Sequence, residues 1–235
     1  MTIIEHRFED RQALLASLFD RISAALENDL QQSGKASLLL SGGSTPGPLY
    51  RQLSQADLPW HNISVGLVDE RWVESDHQAS NERLLRETLV QNRASDVGFS
   101  GMKNPAETAL AGEVECNAQC ATLPAPYSLS LLGMGPDGHT ASLFPHAQGL
   151  ARALDAQQHC AAITAIPSKV TGDYTERMTM TPWSLLQSQA LVLLITGEDK
   201  WQVYQEAKNN TSVEDTPVSL FLQQEQVPVE VYWAP

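Results

Sequence analysis

The sequence predicts an α/β protein in which a parallel sheet is covered on both faces by helices, and three observations predict it. Short runs at residues 37–40, 63–68, 128–132 and 190–196 are predominantly apolar and carry no charged residue, as strands buried on both faces do. Segments of helical period separate them, the pattern of βα units. Three of the loops that follow such runs cluster glycine, charged and imidazole residues. In open α/β sheets ligands bind beyond the carboxyl ends of the strands.

Taken in order, residues 2–8 alternate weakly and suit an edge strand. In residues 9–32, Leu15, Leu18, Phe19, Ile22, Leu26 and Leu30 recur at three- and four-residue steps, an amphipathic helix stopped near Gly34. A strand at 37–40, a helix at 46–55 and a strand at 63–68 follow. Residues 79–91 and 105–121 read as helices. Residues 128–132, 160–166, 178–180 and 190–196 read as buried strands, residues 198–208 as a helix, and 229–233 as a strand closing the sheet. No repeat, low-complexity tract or linker divides the chain, so residues 1–235 are expected to form one domain.

Composition narrows the function. The 28 acidic against 15 basic residues leave a net charge of −13, which argues against a general nucleic-acid binder. It leaves room for a small anion, because a few cations can converge in an acidic protein. Residues 1–10 lack the charged and apolar regions of a signal peptide, and no apolar run approaches the length of a membrane span. A soluble, cytoplasmic protein is expected, with neither membrane nor nucleic acid as partner. The odd set Cys116, Cys120 and Cys160 does not form a fully paired disulfide framework. Cys116 and Cys120 are one helical turn apart and suit one face of a helix, but with no histidine near them in sequence a metal site is the less favoured alternative, and the thiols read as reduced and structural.

Ser41-Gly42-Gly43-Ser44-Thr45-Pro46 follows the second strand. Adjacent glycines turn the backbone and aim N–H groups into one concavity, while Thr45 suits a helix cap and Pro46 the first helical position. Together they suit a phosphate, although an ordinary βα turn has similar composition. No Gly-Lys-Ser/Thr follows, so it is not a Walker A loop. Asp69-Glu70-Arg71-Trp72 follows the third strand. Arg71 reads either as a fork for an anionic oxygen, with the carboxylates holding it or bonding hydroxyls, or as half of a surface ion pair. Asn81 opens the next helix and also suits a plain cap-region residue.

Gly133-Met134-Gly135-Pro136-Asp137-Gly138-His139 formally matches G-x-G-x-x-G after a strand. A dinucleotide site is rejected, because Asp137 and His139 occupy the loop where a pyrophosphate needs bare backbone, and no acid ends the following strand at the required distance. An imidazole with a carboxylate beside it suits a general base and an orienting acid, and a structural loop histidine fits the same residues. No G-x-S-x-G elbow and no His-Glu-x-x-His motif is present, so water activated by a base fits better than a covalent serine or a metal.

These loops resemble the 6-phosphogluconolactonases. The resemblance rests on Leu40-Ser41-Gly42-Gly43-Ser44-Thr45-Pro46, Asp69-Glu70-Arg71-Trp72-Val73, Ser80-Asn81 and the long stretch from Leu132-Gly133 through His139-Thr140-Ala141-Ser142-Leu143-Phe144-Pro145. Glu176-Arg177-Met178-Thr179 and Thr196-Gly197-Glu198-Asp199-Lys200 fit later motifs, and order and spacing agree over residues 38–200. The resemblance implies a three-layer α/β/α fold with a mostly parallel, Rossmann-like sheet, and hydrolysis of 6-phosphoglucono-1,5-lactone without metal or cofactor. It implies His139 as base, Asp137 as its orienting acid, and Ser41, Gly42, Gly43, Ser44, Thr45, Asp69, Arg71, Asn81, Arg177 and Lys200 around the phosphosugar, with Arg71, Arg177 and Lys200 as the phosphate cations. The related glucosamine-6-phosphate deaminases carry a glutamate in their proton relay where this chain has Phe144, which opposes isomerisation or deamination. A non-catalytic sugar-phosphate sensor domain is the other alternative, opposed by Asp137 and His139 and by the lack of room for a helix-turn-helix before Leu38. A monomer is expected.

Overall fold

The computed structural model describes residues 3–209 and 212–235. Strand β1 (Ile3–Arg7) leads into helix α1 (Arg11–Ser33). Both ends of α1 are chemically marked. Asp10 accepts the Ala13 N–H at 2.8 Å, and Gly34 at φ 74° donates its N–H to Leu30 O. Strand β2 (Ala36–Leu40), buried at every residue, is followed by helix α2 (Gly47–Leu53) and strand β3 (Ile63–Leu67). Then come β4 (Asp69–Arg71), α3 (Asn81–Thr88), β5 (Gly98–Ser100), α4 (Ala109–Cys120) and β6 (Leu129–Gly133). The rest is α5 (Leu150–Asp155), β7 (Cys160–Thr164), β8 (Glu176–Met180), α6 (Pro182–Leu185), β9 (Leu191–Thr196), α7 (Glu198–Ala207), α8 (Ser219–Gln223) and β10 (Val229–Ala234). The predicted first strand is present as β1, with Thr2 outside the described residues.

Seven strands form a parallel sheet in the order β1-β10-β9-β6-β2-β3-β5, flanked by helices as the α/β/α reading expects. Its direction of winding reverses between β2 and β6. From β2 the chain steps outward through β3 and β5, and from β6 it steps the other way through β9 and β10. The loops leaving β2 and β6 therefore diverge, and a crevice opens between them. Two of the predicted motifs, residues 41–46 and 133–140, are these two loops.

Three expectations change. The runs at 160–166 and 178–180 do not enter the parallel sheet. They are β7 and β8 of a separate antiparallel sheet ordered β4-β8-β7, because short apolar strands of either kind look alike in sequence. The acid-arginine loop is not a loop but strand β4 of that second sheet. Helices α3 and α4 begin later than predicted, at the residues after Ser80 and Thr108, whose hydroxyls accept the Arg83 and Ala111 N–H groups as caps. Among the described residues no helix is long and apolar enough to cross a membrane.

Helix α1 shows how packing follows period. Leu14, Leu18, Ile22 and Leu26, four residues apart, are fully buried, whereas Leu15, Phe19 and Leu30 are only partly covered. Replacing Leu18 by Ala is expected to lower unfolding free energy by about 2–5 kcal/mol in a urea titration. Leu110→Ala, at a position 66% exposed on α4, is expected to change it by under about 0.5 kcal/mol.

Candidate active site

The crevice holds a cavity of about 300 Å³. Its wall includes Ser41, Gly42, Gly43, Ser44 and Thr45 from the loop after β2, Asp69 and Arg71 from β4, and Asn81 from α3. His139 comes from the loop after β6, Arg177 from β8 and Lys200 from the first turn of α7. Every predicted site residue except Asp137 lines this one cavity. Asp137 stands directly behind His139 instead.

The period of β4 explains its part of the wall. Successive strand side chains point to opposite faces, so Asp69 and Arg71 share one face while Glu70 takes the other. Glu70 is 1% exposed, and its carboxylate accepts the N–H groups of Arg71, Asn81 and Glu82, each at 2.8 Å, and the Ser80 hydroxyl at 2.9 Å. Burial nevertheless pushes its pKa from 4.5 up to about 6, against the lowering by these hydrogen bonds. Of the two roles expected for the carboxylates, holding the Arg71 guanidinium or bonding hydroxyls, the described hydrogen bonds show the second: Glu70 accepts the Ser80 hydroxyl and Asp69 that of Ser142. Glu70 grips backbone on the far face, and Arg71 Nη1 donates to Ala79 O at 2.7 Å.

On the cavity side, Asn81 Nδ2 donates to Asp69 O at 2.8 Å, and Ser142 Oγ donates to Asp69 Oδ2 at 2.5 Å. Asn81 packs so closely under the glycine loop that a Cβ on Gly42 would stand 1.8 Å from its Oδ1. Asparagine is thus a structural partner of Gly42 as well as part of the wall. The expected Thr45 cap is also corrected. Residues 44–46 form a turn, Pro46 is already in αR geometry with its carbonyl accepting the Tyr50 N–H, and no hydroxyl caps α2. Ser41 is held by its backbone, its N–H donating to Leu131 O and its carbonyl accepting the Tyr50 hydroxyl at 2.6 Å.

Arg71 and Arg177 face each other directly across the β4–β8 ladder. Two cations so placed repel. Arg177, 4% exposed, spends Nε on Tyr174 O and Nη2 on Thr171 O. Burial lowers its pKa to about 10, Asp69 opposing the shift and Arg71 adding to it. It therefore remains charged at neutral pH, and the pair favours an anion between or beside them. For Lys200 burial is again the main cause of a lowered pKa, with Arg11 adding to it and Asp137 opposing it.

The base side is built from the loop after β6. Thr140 Oγ1 donates to Gly133 O at 2.7 Å, and Gly135 N–H to His139 O at 2.9 Å, folding the loop back on its strand. The imidazole lies against Gly135, where a Cβ would stand 2.1 Å from its Nδ1, so a glycine is required there. His139 Nδ1 meets Asp137 Oδ1 at 2.5 Å. Burial raises the Asp137 pKa, but the imidazole's hydrogen bond and charge outweigh it and hold the carboxyl below its ordinary range. An ionised Asp137 fixes the tautomer with the proton on Nδ1, leaving the Nε2 lone pair free to act as a base. Phe144 covers the imidazole at 4.2 Å between centroids, and the Arg177 guanidinium lies 5.5 Å from the same ring.

Sequence reasoning missed Ser142 as the hydroxyl that holds Asp69. It also missed Met134, Pro136, Ala141, Val170 and Leu194 as wall residues. Ser142 lies inside the histidine motif, but nothing local marks a partner 73 residues away. The segment before α8 backs the histidine loop, with Val218 N–H donating to Gly138 O at 3.0 Å.

Residues 9–233 match the family model described as glucosamine-6-phosphate isomerases/6-phosphogluconolactonase. The chain is 37% identical over 230 residues to a 6-phosphogluconolactonase of Rhizobium meliloti (strain 1021), covering 98% of each. It is 34% identical over 226 residues to one from Xylella fastidiosa (strain 9a5c), covering 96% of this chain and 94% of the other. The crystal structure of a 6-phosphogluconolactonase from Shewanella baltica OS155 superposes with a TM-score of 0.94 at 39% identity, over 100% of this chain and 98% of that one. A monomeric glucosamine-6-phosphate deaminase, with a TM-score of 0.71 and 20% identity, shares the fold.

The buried Glu70 makes stability depend on pH with a definite sign. Its folded pKa of about 6 lies above 4.5, so its favourable contribution is complete below pH 4.5 and lost as pH rises through 6. The stability difference between the parent and Glu70→Gln, measured by urea unfolding, is therefore expected to shift against the parent by about 2 kcal/mol between pH 4 and 7. A difference that stays flat over that range contradicts the buried-carboxyl account.

Proposed function

The chain belongs to the family of glucosamine-6-phosphate isomerases and 6-phosphogluconolactonases, and from that premise we propose that it hydrolyses 6-phosphoglucono-1,5-lactone to 6-phosphogluconate with His139 as general base. The observation that carries the assignment is the Asp137–His139 pair, its free imidazole nitrogen on a cavity that also holds Arg71, Arg177 and Lys200. That arrangement offers one base and several cations to a substrate with one electrophilic carbon and one dianionic end.

A δ-lactone is an activated ester, so orientation and one proton acceptor supply much of what its hydrolysis needs. Nε2 of His139 takes a proton from water as the oxygen attacks C1. The imidazolium then returns a proton to the ring oxygen as the C1–O bond breaks. Asp137 holds the ring in the productive tautomer and stabilises its cationic form. Arg71 and Arg177 receive the phosphate together with the N–H groups of residues 42–45, and Lys200 supplies a further positive charge on the cavity wall. Asp69, fixed by Ser142 and Asn81, keeps a carboxylate at the wall where sugar hydroxyls can donate to it.

Isomerisation or deamination is not favoured. At the position where the deaminases place a relay carboxylate, Phe144 presents a ring that neither accepts nor donates a proton. A monomeric catalyst acting on a phosphorylated substrate in the cytoplasm is the form proposed.

His139→Ala is expected to cut the lactonase rate by about 10²–10⁴ once spontaneous hydrolysis is subtracted. Turnover equal to the parent's removes His139 from the role of base. Arg177→Ala is expected to raise KM for the phosphorylated lactone by roughly 10- to 100-fold, the loss of a charge-assisted contact. A similar KM for a lactone lacking the phosphate, in parent and variant, locates the effect at the phosphate. An unaltered KM for the phosphorylated lactone removes Arg177 from that role.

A further inference from the structure

Far from this cavity in function, the fold completes a cluster that sequence spacing only half suggests. Cys116 and Cys120 stand one turn apart on the inner face of α4, and Cys160, the first residue of β7, joins them from the second sheet. All three thiols are free and buried, and their sulfurs lie within 4.8 Å of one another. We propose that Cys116, Cys120 and Cys160 form a three-sulfur site for one soft, thiophilic metal ion, a chemistry shared by Cu(I), Zn(II) and Cd(II).

The spacing fits such an ion. With metal–sulfur bonds of about 2.3 Å, three sulfurs around one centre stand about 4 Å apart. Cys116 and Cys120 Sγ are separated by 4.0 Å, and bringing the third into the same triangle requires a movement of less than about 1 Å from the 4.8 Å bound. Thiolate ligands select soft ions over the oxygen-seeking Mg²⁺ and Ca²⁺.

The two elements are held in register before any ion arrives. Asn117, between the two helical cysteines, donates from Nδ2 to Cys160 O at 2.9 Å and accepts the Cys160 N–H on Oδ1 at 3.0 Å. Glu113, one turn earlier, accepts the Ala162 N–H at 2.7 Å. β7 lies at the edge of its three-stranded sheet, so these side chains occupy backbone groups that a fourth strand would otherwise meet. The polar clamp fixes Cys160 over the helix face that carries the other two sulfurs. As each metal–sulfur bond forms, the corresponding S–H bond breaks and its proton passes to solvent, three protons for each ion bound.

The test uses the full chain, reduced, metal-free and under anaerobic conditions. Titration with Cd(II) is expected to raise an ultraviolet sulfur-to-metal charge-transfer band that saturates at one ion per chain, with three sulfur neighbours in X-ray absorption. Cu(I) and Zn(II), added in competition, are expected to displace it and so rank the ions. Cys160→Ala and Cys116→Ala are each expected to abolish the saturating band while the lactonase rate, read as a sign of correct folding, stays at the parent level. If the variants do not fold, alkylation of the parent during a brief denaturant pulse serves instead, with one bound ion expected to protect three thiols. No band in the parent, fewer than three sulfurs around the ion, no protection, or an equal band in folded variants overturns the site.

Discussion

The buried Glu70 carboxylate is the interaction on which the geometry of the site depends. A charged group at 1% exposure is costly unless its oxygens are satisfied, and here three backbone N–H groups and one hydroxyl converge on it. Two of those N–H groups, from Asn81 and Glu82, belong to the first turn of α3, where unpaired donors and the helix dipole both favour a negative charge. Glu70 therefore locks β4 to α3, and it also decides which face of β4 points where. Once Glu70 turns toward the helix, strand alternation sends Asp69 and Arg71 toward the cavity. The same lock sets Asn81 under Gly42, so the glycine loop, the acid and the arginine are positioned by one buried contact.

The opposed Arg71 and Arg177 answer the question raised by a chain with net charge −13. Net charge describes the exterior, whereas a ligand responds to the local field of a partly closed cavity. There the β4–β8 register sets two guanidiniums side by side, each tied to a backbone carbonyl, so neither can swing away to relieve repulsion cheaply. Burial, with Arg71 adding to it, holds the pKa of Arg177 below the usual value, because a guanidinium withdrawn from water is less well solvated.

Legibility followed the distance over which information is written. The histidine loop could be read directly, because strand, glycines, carboxylate and imidazole lie within a few consecutive residues. Helix α1 was legible for the same reason, its four-residue steps and Gly34 stop both being local. Strand β4 was not, since three residues hold no detectable period and a charged triplet resembles a loop. The apolar runs of β7 and β8 were seen as strands but placed in the wrong sheet, because hydrophobicity says that a strand is buried and not which partner covers it. The Asp69–Ser142 bond and the meeting of Cys160 with α4 join residues far apart in sequence, and they exist only after the two sheets have packed. Thr45 failed as a cap because the turn before α2 placed the cap one residue later than composition suggested.

Phe144 shows how such a scaffold separates its two tasks. The ring lies 4.2 Å from the imidazole between centroids and 5.5 Å from the Arg177 guanidinium. It thus contacts both the imidazole proposed as base and a cation whose charge opposes an imidazolium. Apolar contact with the ring also limits the exchange partners of His139. Nδ1 is committed to Asp137, the face is covered, and Nε2 is left to the cavity. In the proposed mechanism a base so confined trades protons with whatever sits in the cavity, and an activated ester with one water asks for no more. Moving a proton between two carbons or onto a leaving amine would need a second titratable group near the first, and at the position from which it could come the chain has placed an aromatic ring.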